Sequence, residues 1–242
     1  SEHRAPIVVS ACDPHRTLLQ WLTNPPAQAH DTLARWQAIE QHEGYESKLD
    51  AVLTAPPVMR AIGAPTGATV VVTPSLTEID SAYHAMRAGH VAERPALLVN
   101  VPTLLDPTMA PPAHPDRHVF SLEVLYTPYR LDGGWPGSSE PQRWLELFAT
   151  LCEPGFLDSI VDYRAMTPDV YERDFHLPAG HATSFAGGPL AVFRSTDPEL
   201  TRYETEVPGL FLTGAATFPG AGVWGASGRN CAAVVLDRLG AR

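Results

Sequence analysis

The chain has 242 residues, 44% hydrophobic and 18% charged, which is enough apolar material for a sizeable folded core. A formal charge of −10 and only 17 scattered Lys and Arg residues exclude a nucleic-acid surface, which needs clustered basic side chains. No apolar run approaches the ~20 residues of a membrane span, and the opening SEHRAPIVVS lacks the apolar stretch of a secretory signal.

In chain order, residues 5–11 (APIVVSA) read as a buried strand, a short β-branched run without polar alternation. A buried strand so early implies that the chain is part of a larger unit. Asp13-Pro14 then opens a helix, with Asp13 as its N-cap and Pro14 at the first helical position, and Asn24-Pro25-Pro26 stops it. Residues 30–42 place Leu33, Trp36 and Ile39 at helical spacing. Residues 48–55 alternate as a strand that ends at Pro56-Pro57, and residues 68–73 (ATVVVT) form a stronger one. Ser75 and Glu78 make a capping box for a helix that runs to about Ala88 and ends at Gly89. Residues 96–101 and 117–126 are two further strands, separated by the proline-rich loop 106–115. Residues 141–153 carry Trp144, Leu147, Phe148 and Leu151 on one helix face. Residues 157–163 read as a short helix or a strand, 168–175 as a helix, 210–214 as the last strand and 225–239 as the last helix.

The two ends therefore read as α/β sheet material and the middle as an α+β layer. The predicted fold is α/β plus α+β: a nucleotide-binding domain assembled from residues 1–22 and 196–242, with a substrate domain of mixed sheet and helices, residues 23–195, inserted between them. Cys12, Cys152 and Cys231 are odd in number, far apart and free of C-x-x-C spacing, which predicts reduced, buried thiols and a cytoplasmic protein.

Near the end, Gly220, Gly222 and Gly225 spell G-x-G-x-x-G. As the first turn of a dinucleotide fold this match fails. No second strand follows, and Asp237, the only later acid, lies too near for the ribose-binding position ~20 residues on. Ser227 sits in G-A-S-G-R, which breaks the G-x-S-x-G elbow of a hydrolase at its last position. His114 and His118 have metal-ligand spacing, but Pro115 between them makes a solvated loop pair the better reading. Tyr126, Tyr129 and Trp135 either line a pocket or pack the core, the second being favoured.

The segment VPGLFLTGAATFPGAGVWGASGRNCAAVVL resembles the C-terminal signature of the phytoene-desaturase-like branch of FAD-dependent oxidoreductases, within the amine-oxidase superfamily. The pattern is met at Pro208, Gly209, Leu210, Gly214, Ala215, Thr217, Pro219, Gly220, Gly222, Val223, Gly225, Ala226, Gly228, Arg229 and Asn230. IVVSACDPHRTLLQWL is similar to the family's V-V-S-x-A-D-P strand and helix. GYESKLDAVL, PGFLDSIVDYRAMTPDVYERDF and LPAGHATSFAGG resemble its substrate region.

The resemblance implies the C-terminal part of a Rossmann-like FAD-binding domain, with FAD as cofactor. It also implies a companion chain that carries the N-terminal G-x-G-x-x-G half. The expected activity is that of a dehydrogenase or desaturase passing hydride from an apolar or small organic molecule to flavin. Gly222, Val223, Trp224 and Gly225 are the expected flavin contacts, with Gly214 and Ala215 near the ribityl chain or pyrophosphate. His176 and His181 fall where the family places its substrate cavity, and either line it or are ordinary surface histidines, the second being favoured. Arg229 and Asn230 either bond the cofactor or tie the domains together. No catalytic acid or base and no metal ligand is identified. The alternative is a cofactor-free relative, acting as a redox-neutral isomerase or cyclase or as a ligand-binding or interaction subunit.

Overall fold

The computed structural model describes residues 2–39, 42–73, 75–181, 197–220 and 225–240. In chain order its elements are β1 (Val8–Ser10), α1 (His30–Ala38), β2 (Tyr45–Leu53), β3 (Val70–Val72), α2 (Leu76–Arg87), β4 (Leu97–Asn100), β5 (His118–Thr127), α3 (Glu140–Ala149), α4 (Phe156–Ser159), β6 (Ile160–Met166), α5 (Pro168–Phe175), α6 (Pro198–Arg202), β7 (Leu210–Leu212) and α7 (Ala226–Arg238). The result is a mixed α/β architecture with one parallel and one antiparallel sheet. The chain divides into two compact units, residues 42–182 and the two flanking segments 1–41 and 183–242. No helix among the described residues is long and apolar enough to cross a membrane.

The unit of residues 42–182 is built on an antiparallel sheet in the order β3-β4-β5-β2-β6. Strict alternation along β2 sends Ser47, Leu49, Ala51 and Leu53 to one face, all buried, and leaves Glu46, Lys48, Asp50 and Val52 half-exposed on the other. The buried face meets Leu97, Val99, Phe120, Leu122 and Val124 from the neighbouring strands. α3 closes this layer with Trp144, Leu145 and Phe148, and Phe156 completes an aromatic cluster with Phe120 and Phe148 at centroid spacings of 5.0–5.3 Å. Trp135 is buried against Trp144 and donates its Nε1–H to the Pro128 carbonyl at 3.0 Å, so it packs the core. Ser75 caps α2 by accepting the Glu78 N–H at 3.2 Å, and its hydroxyl reaches the Glu78 carboxylate at 2.9 Å. The stretch 157–163, readable as helix or strand, is both: α4 ends at Ser159 and β6 begins at Ile160.

The second unit joins β1 and β7 as a parallel pair, Val8 opposite Leu210 and Ser10 opposite Leu212. One expectation is corrected here. The strand within residues 5–11 is not buried: Val8 and Val9 are 53% and 46% exposed. A parallel strand is shielded only when neighbours or helices cover both its faces, and β7 is its one sheet partner among the described residues. The helical stretch after Asp13-Pro14 is a π-helical segment, Arg16–Trp21, closed by Leu22 N–H to Thr17 O at 3.2 Å, with Asp13 Oδ1 accepting the Arg16 N–H at 3.0 Å. The thiol expectation is also corrected in part. All three cysteines are free and Cys152 and Cys231 are buried, but Cys12, in the loop that leaves β1, is exposed.

Candidate functional site

In a parallel pair the loops that leave the carboxyl ends of the strands lie side by side, and ligands of open α/β sheets bind there. Here those loops are residues 11–13 after β1 and residues 213–217 after β7. The Thr213 N–H donates to the Ser10 carbonyl at 2.8 Å, which carries the parallel ladder up to the turn. Gly214 then adopts φ +96°, and an added Cβ would stand 3.1 Å from the Ala11 carbonyl oxygen. Two loops approach closely at that point, and a side chain would part them. Ala215, next to it, is exposed.

The segment that follows is pinned from three sides. Thr217 Oγ1 donates to the Gly214 carbonyl at 2.9 Å, and Ser227 Oγ donates to the Thr217 carbonyl at 3.1 Å. Tyr203 donates its hydroxyl to the Phe218 carbonyl at 2.6 Å and accepts from Asn230 Nδ2 at 3.0 Å. Ser227 is thus buried and engaged in holding this turn, which removes it as a nucleophile. Asn230 is a strut in the same network.

Gly225 precedes α7 with φ +66° and caps it without a side chain. A Cβ at Gly225 or at Gly228 would meet nothing within 4 Å, and both glycines are exposed. Among the described residues, the first turn of a 13-residue helix therefore carries no glycine-side obstruction to its N–H groups and positive dipole end. This arrangement fits an anionic edge of a bound cofactor. Of the six expected cofactor contacts, the structure describes Gly214, Ala215 and Gly225; Gly222, Val223 and Trp224 lie outside the described residues.

Behind the site, Glu199 is buried and holds two partners. Arg35 reaches it through Nη1 and Nη2 at 3.0–3.1 Å, and the Trp36 Nε1–H donates to its Oε1. Arg35 also donates to Asp197 at 2.9 Å. This anchor ties α1 to α6 and was not foreseen. The only sequence signal was Asp197-Pro198, a helix-start pair.

In the unit of residues 42–182, His118 Nδ1 pairs with Thr103 Oγ1 at 3.2 Å, while His114 is exposed in the loop before β5. Among the described residues no group of three or more His, Cys, Asp and Glu could hold a metal ion. His176 ends α5 in the left-handed region at φ +57°. His181 Nδ1 lies 2.9 Å from the Gly44 carbonyl, and its ring stands 5.6 Å from that of His42 and 6.1 Å from that of Tyr45. A cleft of about 470 Å³ opens between His90 and the glycine-rich loop 131–140, but Glu140 at its wall is already bonded to Arg143 and Trp144.

The half-exposed sheet face has a chemistry of its own. Burial first, and Glu123 second, push the Glu46 carboxyl up to about 6, against the pull of Lys48. Burial also raises the Tyr45 hydroxyl, helped by Tyr126, Glu46 and Glu123, and raises Tyr171, helped by Glu46, Glu123 and Asp50. The alternation of YESKLD was the available signal for this face; its partners on β5, β6 and α5 could not be read from it.

The chain's similarity to known proteins points to redox enzymes. It is 36% identical, over 66% of its length, to the mouse protein called pyridine nucleotide-disulfide oxidoreductase domain-containing protein 2, and the alignment covers 28% of that protein. It is 30% identical over 56% of its length to a neurosporene-forming phytoene desaturase of Rhodobacter capsulatus, covering 25% of that enzyme. It is 28% identical over 60% of its length to the lycopene-forming phytoene desaturase of Pseudescherichia vulneris, covering 29% of that enzyme. The matched region thus spans less than a third of each relative. No family model matches the chain. The relatives' names support a FAD-type oxidoreductase family and a redox function.

Proposed function

We propose that these 242 residues form the flavin-proximal and substrate-binding portion of a FAD-dependent dehydrogenase or desaturase of the phytoene-desaturase-like branch. In this reading the residues of segments 1–41 and 183–242 make the C-terminal part of a Rossmann-like FAD domain. The turn that grips the adenosine half of FAD is supplied by a companion chain. When bound, the flavin supplies the redox chemistry, accepting a hydride from a carbon of a small organic substrate.

The work of this chain is placement and electrostatics. Gly214 keeps the two loops at the sheet's carboxyl edge close enough to form one floor, and Ala215 lies open beside it, where a ribityl chain or pyrophosphate would run. Gly225 and Gly228 leave the first turn of α7 bare, so its N–H groups can meet negative charge on the reduced cofactor without an intervening side chain. Tyr203, Thr217, Ser227 and Asn230 hold that geometry from behind and do not contact the substrate in this scheme.

The observation that supports the reading most is the signature from Pro208 to Asn230, in which Gly214 stands close to Ala11 on the carboxyl side of a parallel pair and Gly225 and Gly228 leave the start of α7 free of side chains. The test is a visible absorption spectrum of the protein purified from its native host, beside a gel that counts the co-purifying chains. Flavin bands with a second polypeptide bearing G-x-G-x-x-G are expected. A colourless native assembly would overturn the reading and leave the cofactor-free alternative.

A further inference from the structure

β6 ends one side of the five-stranded sheet, and β2 is its one sheet partner among the described residues. An open edge offers unpaired N–H and C=O groups to any further strand. Here Val161, Asp162, Tyr163 and Arg164 are all exposed, so the middle of the strand is uncovered on both faces. The register against β2 is regular from Asp162 to Met166, with Tyr163 opposite Ala51 and Arg164 opposite Asp50. Tyr163 therefore shares the face of Leu49 and Ala51, and Asp162 and Arg164 share the other.

A hydrogen bond shows which way the backbone points. The Tyr163 N–H donates to Asp162 Oδ1 at 2.8 Å. The polar groups of Tyr163 thus face the open edge, and the Asp162 carboxylate stands where the carbonyl of a further strand would be. Asp162 makes no ion pair among the described residues. Arg164 reaches Asp50 at 3.1 Å, yet its side chain is still 71% exposed.

The sequence along this edge is complementary to itself. A two-fold axis normal to the sheet must pass between two copies of one residue, because a half-step offset would oppose side chains of different faces. With the axis at Tyr163, Asp162 of each copy stands opposite Arg164 of the other, and Val161 opposite Ala165. With the axis one residue away, at Asp162 or at Arg164, like charges meet instead. The charges therefore select the Tyr163 register. In it the two Tyr163 residues exchange both backbone bonds. The flanking Asp162–Arg164 pairs are then of the non-hydrogen-bonded kind, in which side chains lie closest. The opposite edge, β3, is three valines long and carries no charge that would choose a partner.

We propose that β6 pairs antiparallel with β6 of a second copy of this chain about a two-fold axis at Tyr163, giving one continuous ten-stranded sheet sealed by two Asp162–Arg164 ion pairs. The surface lies wholly within residues 42–182 and stands whether or not the flavin reading holds.

Sedimentation of the full 242-residue chain across the micromolar range should show a reversible monomer–dimer equilibrium. Asp162→Arg opposes like charges on both sides of the axis and should weaken the dimer about tenfold or more. Arg164→Asp should do the same. The double reversal, Asp162→Arg with Arg164→Asp, is complementary again and should recover most of the loss, which a purely local effect of either charge would not. Tyr163→Pro removes the outward N–H while sparing the ladder to β2; it should abolish the dimer, and it serves if thermal melts show that a charge variant does not fold. Hydrogen exchange locates the seam: raising the concentration should slow the Tyr163 amide and leave Val70–Val72 unchanged. A chain that stays monomeric, a dimer untouched by these variants, a double reversal no better than the single ones, or protection at β3 instead would overturn the proposal. Flavin content is read separately by visible absorption, so failure of either reading leaves the other intact.

Discussion

Glu46 answers to two opposing demands. The titratable groups that act on it are Lys48 on β2, Glu123 on β5 and the hydroxyls of Tyr45 and Tyr171. Its carboxyl binds a proton more tightly in the folded state than at its ordinary value of 4.5, the folded value being about 6. Stability therefore falls as pH rises between those two values, because the folded state must give up a proton it prefers to keep. Glu46→Gln is expected to raise stability near neutral pH by up to about 1 kcal/mol once solvent screening of this partly exposed group is allowed for. It should also flatten the pH dependence below neutrality; denaturant melts at about pH 5 and pH 7 check both points. Glu199 behaves otherwise. At 3% exposure it neutralises Arg35 and takes the Trp36 N–H, and Glu199→Ala should cost about 2–3 kcal/mol by stranding both donors. A urea midpoint that stays at the wild-type value would show that Asp197 suffices for Arg35.

At the scale of elements, what could be read from the sequence follows from how local each cause is. The Ser75 cap is written in four residues, and it formed where the sequence put it. Ser75→Ala should cost about 1 kcal/mol in a thermal or denaturant melt. The period of two along residues 46–53 likewise gave a strand with one buried face. β1 was read correctly as a strand and wrongly as buried, because a β-branched run reports backbone preference, whereas burial depends on which neighbours exist. The carboxylate pair was out of reach for the same reason: Glu46 and Glu123 lie 77 positions apart, and only the antiparallel register makes them neighbours. Gly214 is the element junction with most at stake. Gly214→Val places a branched side chain at φ +96° against the Ala11 carbonyl, at a strain of about 1–2 kcal/mol before any clash. The expected outcome is a lowered melting temperature together with loss of flavin from the native assembly. Unchanged flavin content would make this turn a packing device alone.

For the molecule as a whole, the candidate cofactor contacts rest on a small part of the fold. They sit in segments whose described residues hold one short parallel pair, with Val8 and Val9 open to solvent. The adenosine-binding turn is not among these 242 residues, and much of the affinity for a dinucleotide comes from that turn. The 242-residue chain by itself is accordingly expected to bind FAD with a dissociation constant in the high micromolar range, on the order of −5 to −6 kcal/mol, or weaker. Titration followed by flavin fluorescence measures it. Tight stoichiometric binding would mean that no adenosine-binding turn from outside these residues is needed.

The pairing of Val8 with Leu210 also bears on the order of events during synthesis. β1 leaves the ribosome about 200 residues ahead of its partner, so at ~5–20 residues per second it waits ~10–40 s. Throughout that interval an apolar edge is open to any passing strand. Residues 42–182, whose sheet contacts close entirely within themselves, can fold during the wait. Nascent chains arrested at residue 196 should therefore show protected amides in β2 and β5 and free exchange at Val8 and Val9, and such chains should be the ones that recruit a holdase.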